Sequence, residues 1–591
     1  MKFLLVAVNA KFIHSNPAIY SLRACAGEEL CRFVELAEYT INQPMEEILA
    51  DIYYRKPDGV GFSCYIWNWR LVQELIVELA KLLPDTAIWL GGPEVSYDAD
   101  VILKKYPQLT GIMTGEGEAT FREVLEYYTK AGCGRGDSAK KKQAEPVSLE
   151  HIKGLCLPGG YTPCRAPADM SAIPFLYEDL SPFANKIIYY ESSRGCPFRC
   201  TYCLSSVENQ VRFRNISIIK EELRFFLDHK VNQVKFVDRT FNCSHEHTMA
   251  IWQYIFENDN GVTNFHFEIS ADILRDEEIA LLRRFRPGLA QLEIGVQSVN
   301  PDTLKAIRRV TDIDRLEAAV RKIRKGGNVH IHLDLIAGLP YEDYVSFGRS
   351  FDRVYRMGPH QLQLGFLKVL KGSGMWEAAE DYGIGYMEQP PYEVLYTGWM
   401  SYGELRRLKG VEEMVEFYYN SGQFTHTLPF LERAFEGPFV LYERLADFVR
   451  AKGYPLTGSA RIRRYEALLA FAEAYDNTRQ AIYRELLTYD LYLRENMKSR
   501  PAFAADLSCH QEAIRNFRRT WGEKAGKMVH LEPFYYPVWD PGQMAKNYAL
   551  WGTQVHGREA EYILFDYQKR DPISHDAAAA PIGAWSDRGT V

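Results

Sequence analysis

A chain of 591 residues is too long for one hydrophobic core, so several domains are expected. Hydrophobic content of 47% and charged content of 25% are ordinary for a soluble globular protein. The net charge of −7 offers no global basic field for nucleic acid, and no apolar stretch is long enough to span a bilayer.

The first apolar run, Met1–Val8, leads straight into polar Asn9-Ala10-Lys11 and reads as a β-strand, not a secretory leader. With an odd 11 cysteines, the chain is expected in the cytoplasm, where thiols stay reduced. From 1 to about 130, strand patterns at Lys2–Val8, Arg32–Glu38, Gly59–Ser63, Ala87–Leu90 and Gly111–Thr114 alternate with helical ones. That βαβ rhythm predicts a doubly wound, Rossmann-like parallel sheet. Ligands of such sheets sit at the carboxyl ends of the strands. Those ends carry Ser63, Gly91-Gly92 and Gly115-Glu-Gly-Glu118, where glycines let backbone approach a large ligand; a purely structural role fits Gly91-Gly92 equally well.

Residues 131–150 are small and polar and read as a linker; Gly154–Arg165 follows as a predicted hairpin, so that 131–185 separates two domains. From 186 to 375 six strand patterns recur: Lys186–Tyr190, Gln233–Val237, Phe265–Ser270, Gln291–Val296, His330–Leu335 and Gln361–Phe366. Six βα units make a partial TIM-type barrel, with chemistry collected at the carboxyl ends of the strands. After the first strand comes Glu191-Ser-Ser-Arg-Gly-Cys196-Pro-Phe-Arg-Cys200-Thr-Tyr-Cys203. Thiolates at this spacing hold an iron–sulfur cluster, and three of them leave one iron of a 4Fe–4S cluster open. A zinc half-site and buried, inert cysteines are the alternatives; spacing and strand–loop context favour the cluster. The other strand ends add Asp238, Glu268, Ser270, Glu293, Gln297 and Asp334. Cys243, His245 and His247 together suggest a metal, but the two histidines read instead as exposed residues at a helix start.

From 376 to about 570 amphipathic helices dominate, with short strands expected at Tyr535–Asp540 and Ala560–Tyr567. The segment 571–591, with Ala577–Ala580, reads as a disordered tail.

At the cysteine loop, including Tyr202, the sequence resembles the radical S-adenosylmethionine (SAM) superfamily. Glu293-Ile-Gly-Val-Gln297-Ser and His332-Leu-Asp334-Leu-Ile-Ala-Gly-Leu-Pro resemble the fourth- and fifth-strand motifs of its coproporphyrinogen-oxidase-like branch. The resemblance implies that Gln297 and Asp334 reach the SAM ribose, that Glu268 sits near the methionine amino group, and that Arg309 pairs with its carboxylate. Arg308 stands where that branch has Asn, and Val237-Asp238-Arg239-Thr240 replaces its glycine-rich turn, leaving Asp238 to take the ammonium. Placed before such a barrel, residues 1–130 resemble the cobalamin-binding domain of cobalamin-dependent radical SAM enzymes, with Ser63, Gly91 and Gly92 against the cofactor. The usual Asp-x-His-x-x-Gly is absent: His14 is displaced, so ligation of cobalt by histidine is not expected. Residues 376–570 resemble an uncharacterised domain found behind some of these enzymes.

The resemblance implies cleavage of SAM to a 5′-deoxyadenosyl radical and transfer of a cobalamin-borne methyl group to an unactivated carbon of a small molecule or peptide. It also implies an electron donor such as flavodoxin. A radical rearrangement or cyclisation without methyl transfer is the first alternative. A non-catalytic cobalamin- and cluster-binding sensor is the second. Methylthio transfer to RNA is disfavoured, since no basic tail follows the barrel.

Overall fold

The computed structural model describes residues 1–130, 148–207, 210–455, 460–525, 528–551 and 559–582. Most of the predicted linker, Lys140–Lys142 included, lies outside these. Two compact units divide the chain. The first holds Met1–Leu274, Ile307–Val310 and Leu367–Leu395; the second holds Arg275–Ala306, Thr311–Phe366 and Tyr396 onward.

The first unit opens with strands β1 (Phe3–Asn9), β2 (Val34–Thr40), β3 (Gly59–Ser63), β4 (Ala87–Gly91) and β5 (Gly111–Met113), parallel in the order β2-β1-β3-β4-β5. Every residue of β1 is buried, because helices cover both faces of the sheet. Its side chains alternate between two cores: Leu4, Val6 and Val8 face one, Phe3, Leu5 and Ala7 the other. The predicted hairpin is real but belongs to this sheet. Strand β6 (Leu155–Leu157) adds antiparallel to β5, and β7 (Gly160–Tyr161) antiparallel to β6, as the sixth and seventh strands of the sheet.

The same unit continues with β8 (Ile188–Tyr190), the short pair β9 (Ser193–Arg194) and β10 (Arg212–Phe213), then β11 (Gln233–Phe236) and β12 (Asn264–Ile269). Strands β8, β11 and β12 are parallel neighbours, with Val234 facing Ile188 and Phe265. Arg214, just after β10, is buried and donates to Glu222 Oε2 at 2.9 Å and to the Ile173 carbonyl at 2.8 Å; Tyr190 Oη also donates to Glu222, at 2.5 Å. Replacing Arg214 by Met strands a buried carboxylate. The expected loss is about 3–5 kcal/mol, read as a lower denaturant midpoint.

In the second unit β13 (Ala290–Gln297), β14 (His330–Ala337) and β15 (Gln361–Phe366) are parallel neighbours, bringing the barrel-type strands to the predicted six. The register slips between Gly295 and Gln297, a bulge at the carboxyl end of β13. The outer strand β15 is covered by Asn420, which accepts from Leu362 N and donates to Leu362 O, both at 2.9 Å. Asn420 ends a π-helical turn, Val415–Asn420, and its amide occupies backbone groups that a stray strand could otherwise pair with.

Helices at Tyr402–Met414, Pro438–Lys452, Ile462–Tyr475, Gln480–Arg494 and Gln511–Ala525 follow. They are joined by an antiparallel sheet of Val529–Phe534, Glu561–Arg570 and Ala577–Pro581. Two expectations are corrected here. The strand predicted at Tyr535–Asp540 lies just before that segment, and the alanine run placed in a disordered tail is a paired strand, with Phe565 facing Ala579.

Candidate active site

In the first unit, the cysteine loop hangs between paired strands. Strand β9 precedes Cys196, β10 follows Cys203, and Arg194 faces Arg212 across the pair. Cys196 and Cys200 are buried, and Cys203 is half-buried. The loop is fixed through its backbone: Thr201 N donates to the Ile307 carbonyl at 3.0 Å and Met375 N to the Thr201 carbonyl at 2.7 Å. Arg309 Nη1 donates to Tyr202 Oη at 3.2 Å and points at Cys200 Sγ from 3.8 Å. A cation aimed at a thiol sulfur, beside a second sulfur (Cys196) within 3.5 Å of Thr240 Oγ1, suits thiolates that carry a cluster. Burial alone pushes the Cys200 thiol up, and the guanidinium opposes it.

Asp238 lies elsewhere than the sequence suggested. It is 1% exposed and turned toward the start of the loop. It accepts from Ser192 N at 3.0 Å, Ser192 Oγ at 2.6 Å and Ser193 Oγ at 2.6 Å. Its carboxylate is committed to anchoring Ser192 and Ser193, which lead into the cysteine loop. Burial pushes its pKa up to about 6 against those bonds. His247, expected to be exposed, is buried under the loop with Nε2 3.0 Å from Ser192 Oγ, and burial lowers it to about 4; Cys243 is raised to about 11 by the same cause. Ser270, too, is turned inward: its backbone exchanges bonds with the Asn242 amide, and its Oγ donates to Asp272 at 2.7 Å. Glu268 is half-buried, on the face of β12 opposite Phe265, Phe267 and Ile269.

The amino-terminal sheet of this unit presents the other predicted set. Ser63 and Gly91 are opposite each other at the ends of β3 and β4. Ser63 Oγ accepts from Asn16 Nδ2 at 3.1 Å, and Asn68 fixes the following turn by donating to the Ser63 carbonyl at 2.8 Å. Gly92 has φ +111°, and a Cβ there would lie 2.5 Å from the Cys64 carbonyl oxygen. Gly92 lines a cavity of about 850 Å³; Ser63 and Gly91 do not. Tyr65, Gly115 and Glu116 line it too, as do Glu191, Arg194 and Gly195 of the cysteine loop. The glycine cradle fits a large planar cofactor approached by backbone. His14 Nδ1 lies 2.6 Å from Tyr189 Oη.

In the second unit, Gln291, Glu293, Gly295 and Gln297 share the less buried face of β13, and His332 and Asp334 that of β14, their side chains 2.9 Å apart. Gln297 stands at the bulge with φ +71°, a region that costs a non-glycine residue energy and marks functional positions. Its Oε1 is buried and, among the described residues, has no hydrogen-bond partner. An acceptor held this way suits a hydroxyl donor such as a ribose. Sequence reasoning placed Tyr65 and Glu116 at ligand-side strand ends without giving either a role of its own, and it gave none to Arg194 or Arg212; the closeness of Arg194 to Cys196 was the available signal.

Three family models match the chain in order: a B12-binding domain over residues 4–125, the radical SAM superfamily over 190–354, and a protein family of unknown function over 380–549. The chain belongs to the cobalamin-binding radical SAM enzymes. As a member, it uses a 4Fe–4S cluster, SAM and cobalamin. A 2-(S-pantetheinyl)-carbapenam-3-carboxylate methyltransferase of Streptantibioticus cattleyicolor is 23% identical, over 82% of this chain and 73% of that one. An anaerobic magnesium-protoporphyrin IX monomethyl ester cyclase of Synechocystis is 26% identical, over 43% and 50%. The chain spans 53% to 73% of the length of the first three curated relatives it matches. Among solved structures, the cobalamin-dependent radical SAM enzyme OxsB with aqua-cobalamin bound shares the fold of these enzymes. Its TM-score is 0.58 at 13% identity, over 88% of this chain and 84% of that one. Among the described residues, no helix is long and apolar enough to cross a membrane.

Proposed function

We propose that this enzyme is a methyltransferase that acts on an unactivated carbon of a small-molecule or carrier-bound substrate. The observation that carries the reading is the shared cavity: Gly92 at the end of β4 and Gly195 of the cysteine loop open on the same 850 Å³ space. When bound, the cluster supplies the electron that splits SAM to methionine and a 5′-deoxyadenosyl radical, and cobalamin carries the methyl group.

The chain's own residues do the rest. Cys196, Cys200 and Cys203 would hold the 4Fe–4S cluster, three thiolates for four irons leaving room for SAM to bind it. Arg309 keeps a cation beside Cys200, on the side of the methionine carboxylate. Glu268 takes the amino group, and Gln297, Glu293 and Asp334 hold the ribose. Asp238 and Ser270 act through the backbone they anchor. The helical region after the barrel selects the substrate, an electron donor of flavodoxin type supplies reducing equivalents, and the protein works in the cytoplasm.

Changing the three cysteines together to alanine should eliminate anaerobic release of 5′-deoxyadenosine from SAM. With substrate supplied, product one methyl group heavier supports the reading. Product of unchanged carbon count would instead favour cyclisation, the second reading, for which the cyclase relative speaks.

A further inference from the structure

The two ends of the cysteine loop converge on one carboxylate of the cobalamin-binding sheet. Arg194 Nη1 lies 3.2 Å from Glu116 Oε1, and Arg212, its partner across β9 and β10, also donates to Glu116. Arg194 further meets Glu118 Oε1 at 2.9 Å and Glu191 Oε2 at 2.8 Å. Arg212 donates to the Ala168 carbonyl at 2.6 Å, and Ala168 N returns a bond to Glu116 Oε2 at 2.6 Å. The side chains of Arg194, Arg212 and Glu116 are 21%, 15% and 14% exposed, so the network is poorly screened by solvent. Glu116 belongs to the turn after β5, beside Gly115 with φ +72°, and that turn lines the cavity.

We propose that Glu116 is a positioning residue that couples the two cofactor sites, so that filling the cysteine loop with its cluster tightens cobalamin binding. The inference rests on the two-cofactor reading above. Its physical basis is preorganisation. A cluster gripped by three thiols restrains residues 195–203, and hence β9 and the placement of Arg194 against Arg212. Two guanidiniums held at fixed separation define one position for Glu116, and with it the turn against which cobalamin must dock. Without the cluster the loop ends are looser, and cobalamin binding must order them itself. Such coupling is reciprocal: cobalamin must equally favour retention of the cluster.

The test is an anaerobic optical titration with hydroxocobalamin of full-length protein, cluster-loaded and cluster-stripped by chelation. In the parent, stripping should weaken binding at least about fivefold, the lower end of measured site–site couplings. In Glu116→Gln, which keeps shape but loses charge, the two affinities should agree within about twofold, a difference too small to be coupling of that kind. Arg212→Lys, which keeps the charge but loses the planar fork, should likewise lose the coupling, and it carries the test if Glu116→Gln does not fold. Cluster retention under chelator, followed by iron release, should be prolonged by cobalamin in the parent and not in the variants. Equal affinities in the parent, or undiminished coupling in the variants, would overturn the inference and leave the two-cofactor reading intact. Absence of any corrin binding would overturn both.

Discussion

Gly195→Ala is expected to leave the protein folded but nearly devoid of iron. Gly195 sits one residue before Cys196 with φ +99°, and a Cβ placed there would lie 2.4 Å from the Gln210 carbonyl oxygen and 3.3 Å from Val211 Cα. Both obstacles are backbone, so no rotamer change relieves them. The left-handed region costs an L-residue about 1–2 kcal/mol, and overpacking adds about 1–3 kcal/mol. The loop cannot shift as a whole, because Arg194 is paired with Arg212 on one side and Ser192 and Ser193 are held by Asp238 below. The strain therefore falls on Cys196 itself. Iron and sulfide analysis after anaerobic reconstitution checks this, with Gly261→Ala as the control. Gly261 also has a positive φ, +75°, but its Cβ would meet nothing within 4 Å, so that variant should lose stability slightly and iron not at all. Full iron occupancy in Gly195→Ala would show that the loop has freedom the structure does not give it.

The contrast between these glycines marks what could be read from the sequence. Parallel strands buried on both faces appear as continuous apolar runs, so β1, β3 and β4 announced themselves, and the barrel strands did so by period-two alternation. The cysteines were legible because ligand spacing is a local property. What was not legible depended on contacts between residues far apart in sequence. Asp238 lies just past the end of β11, where a rim carboxylate should be, yet Ser192 and Ser193, more than forty residues upstream, turn it inward. The segment Val529–Phe534 alternates poorly and contains Pro533, and only its partner Glu561–Arg570 makes it a strand. Ala577–Pro581 has no β propensity to speak of; it is held by pairing to the same partner. Asn420 covering β15 could not be foreseen, since its meaning lies in a π-turn that no periodicity signals.

Gly92→Ala is expected to weaken cobalamin binding by about 30- to 100-fold, equivalent to roughly 2–3 kcal/mol. Sequence reasoning treated Gly91 and Gly92 alike, and the structure separates them. A Cβ on Gly91 would rest 3.7 Å from Met113 Cβ, an ordinary contact, and Gly91 does not line the cavity. A Cβ on Gly92 would lie 2.5 Å from the Cys64 carbonyl oxygen and 3.1 Å from Cys64 N, on a backbone at φ +111°. Cys64 cannot retreat. It is fully buried, and its amide donates to the Gly91 carbonyl at 2.7 Å. The turn itself must move, and it is tied down in three further places. Ser96 Oγ donates to the Gly92 carbonyl at 2.8 Å, Tyr392 Oη donates to Glu94, and Lys371 Nζ meets Asp98 Oδ2 at 2.6 Å. Relief can come only through displacement of the cavity wall, the surface proposed above to receive the corrin. Gly91→Ala should then bind cobalamin within about threefold of the parent, less than 1 kcal/mol. Both variants should keep their full complement of iron, since the atoms nearest either added Cβ belong to Met113 and Cys64 and not to the cluster-binding cysteines. Optical titration of the two proteins side by side decides the matter. Equal losses at the two positions would mean that the glycines serve the packing of β4 against β5, and that the cofactor approaches some other part of the sheet.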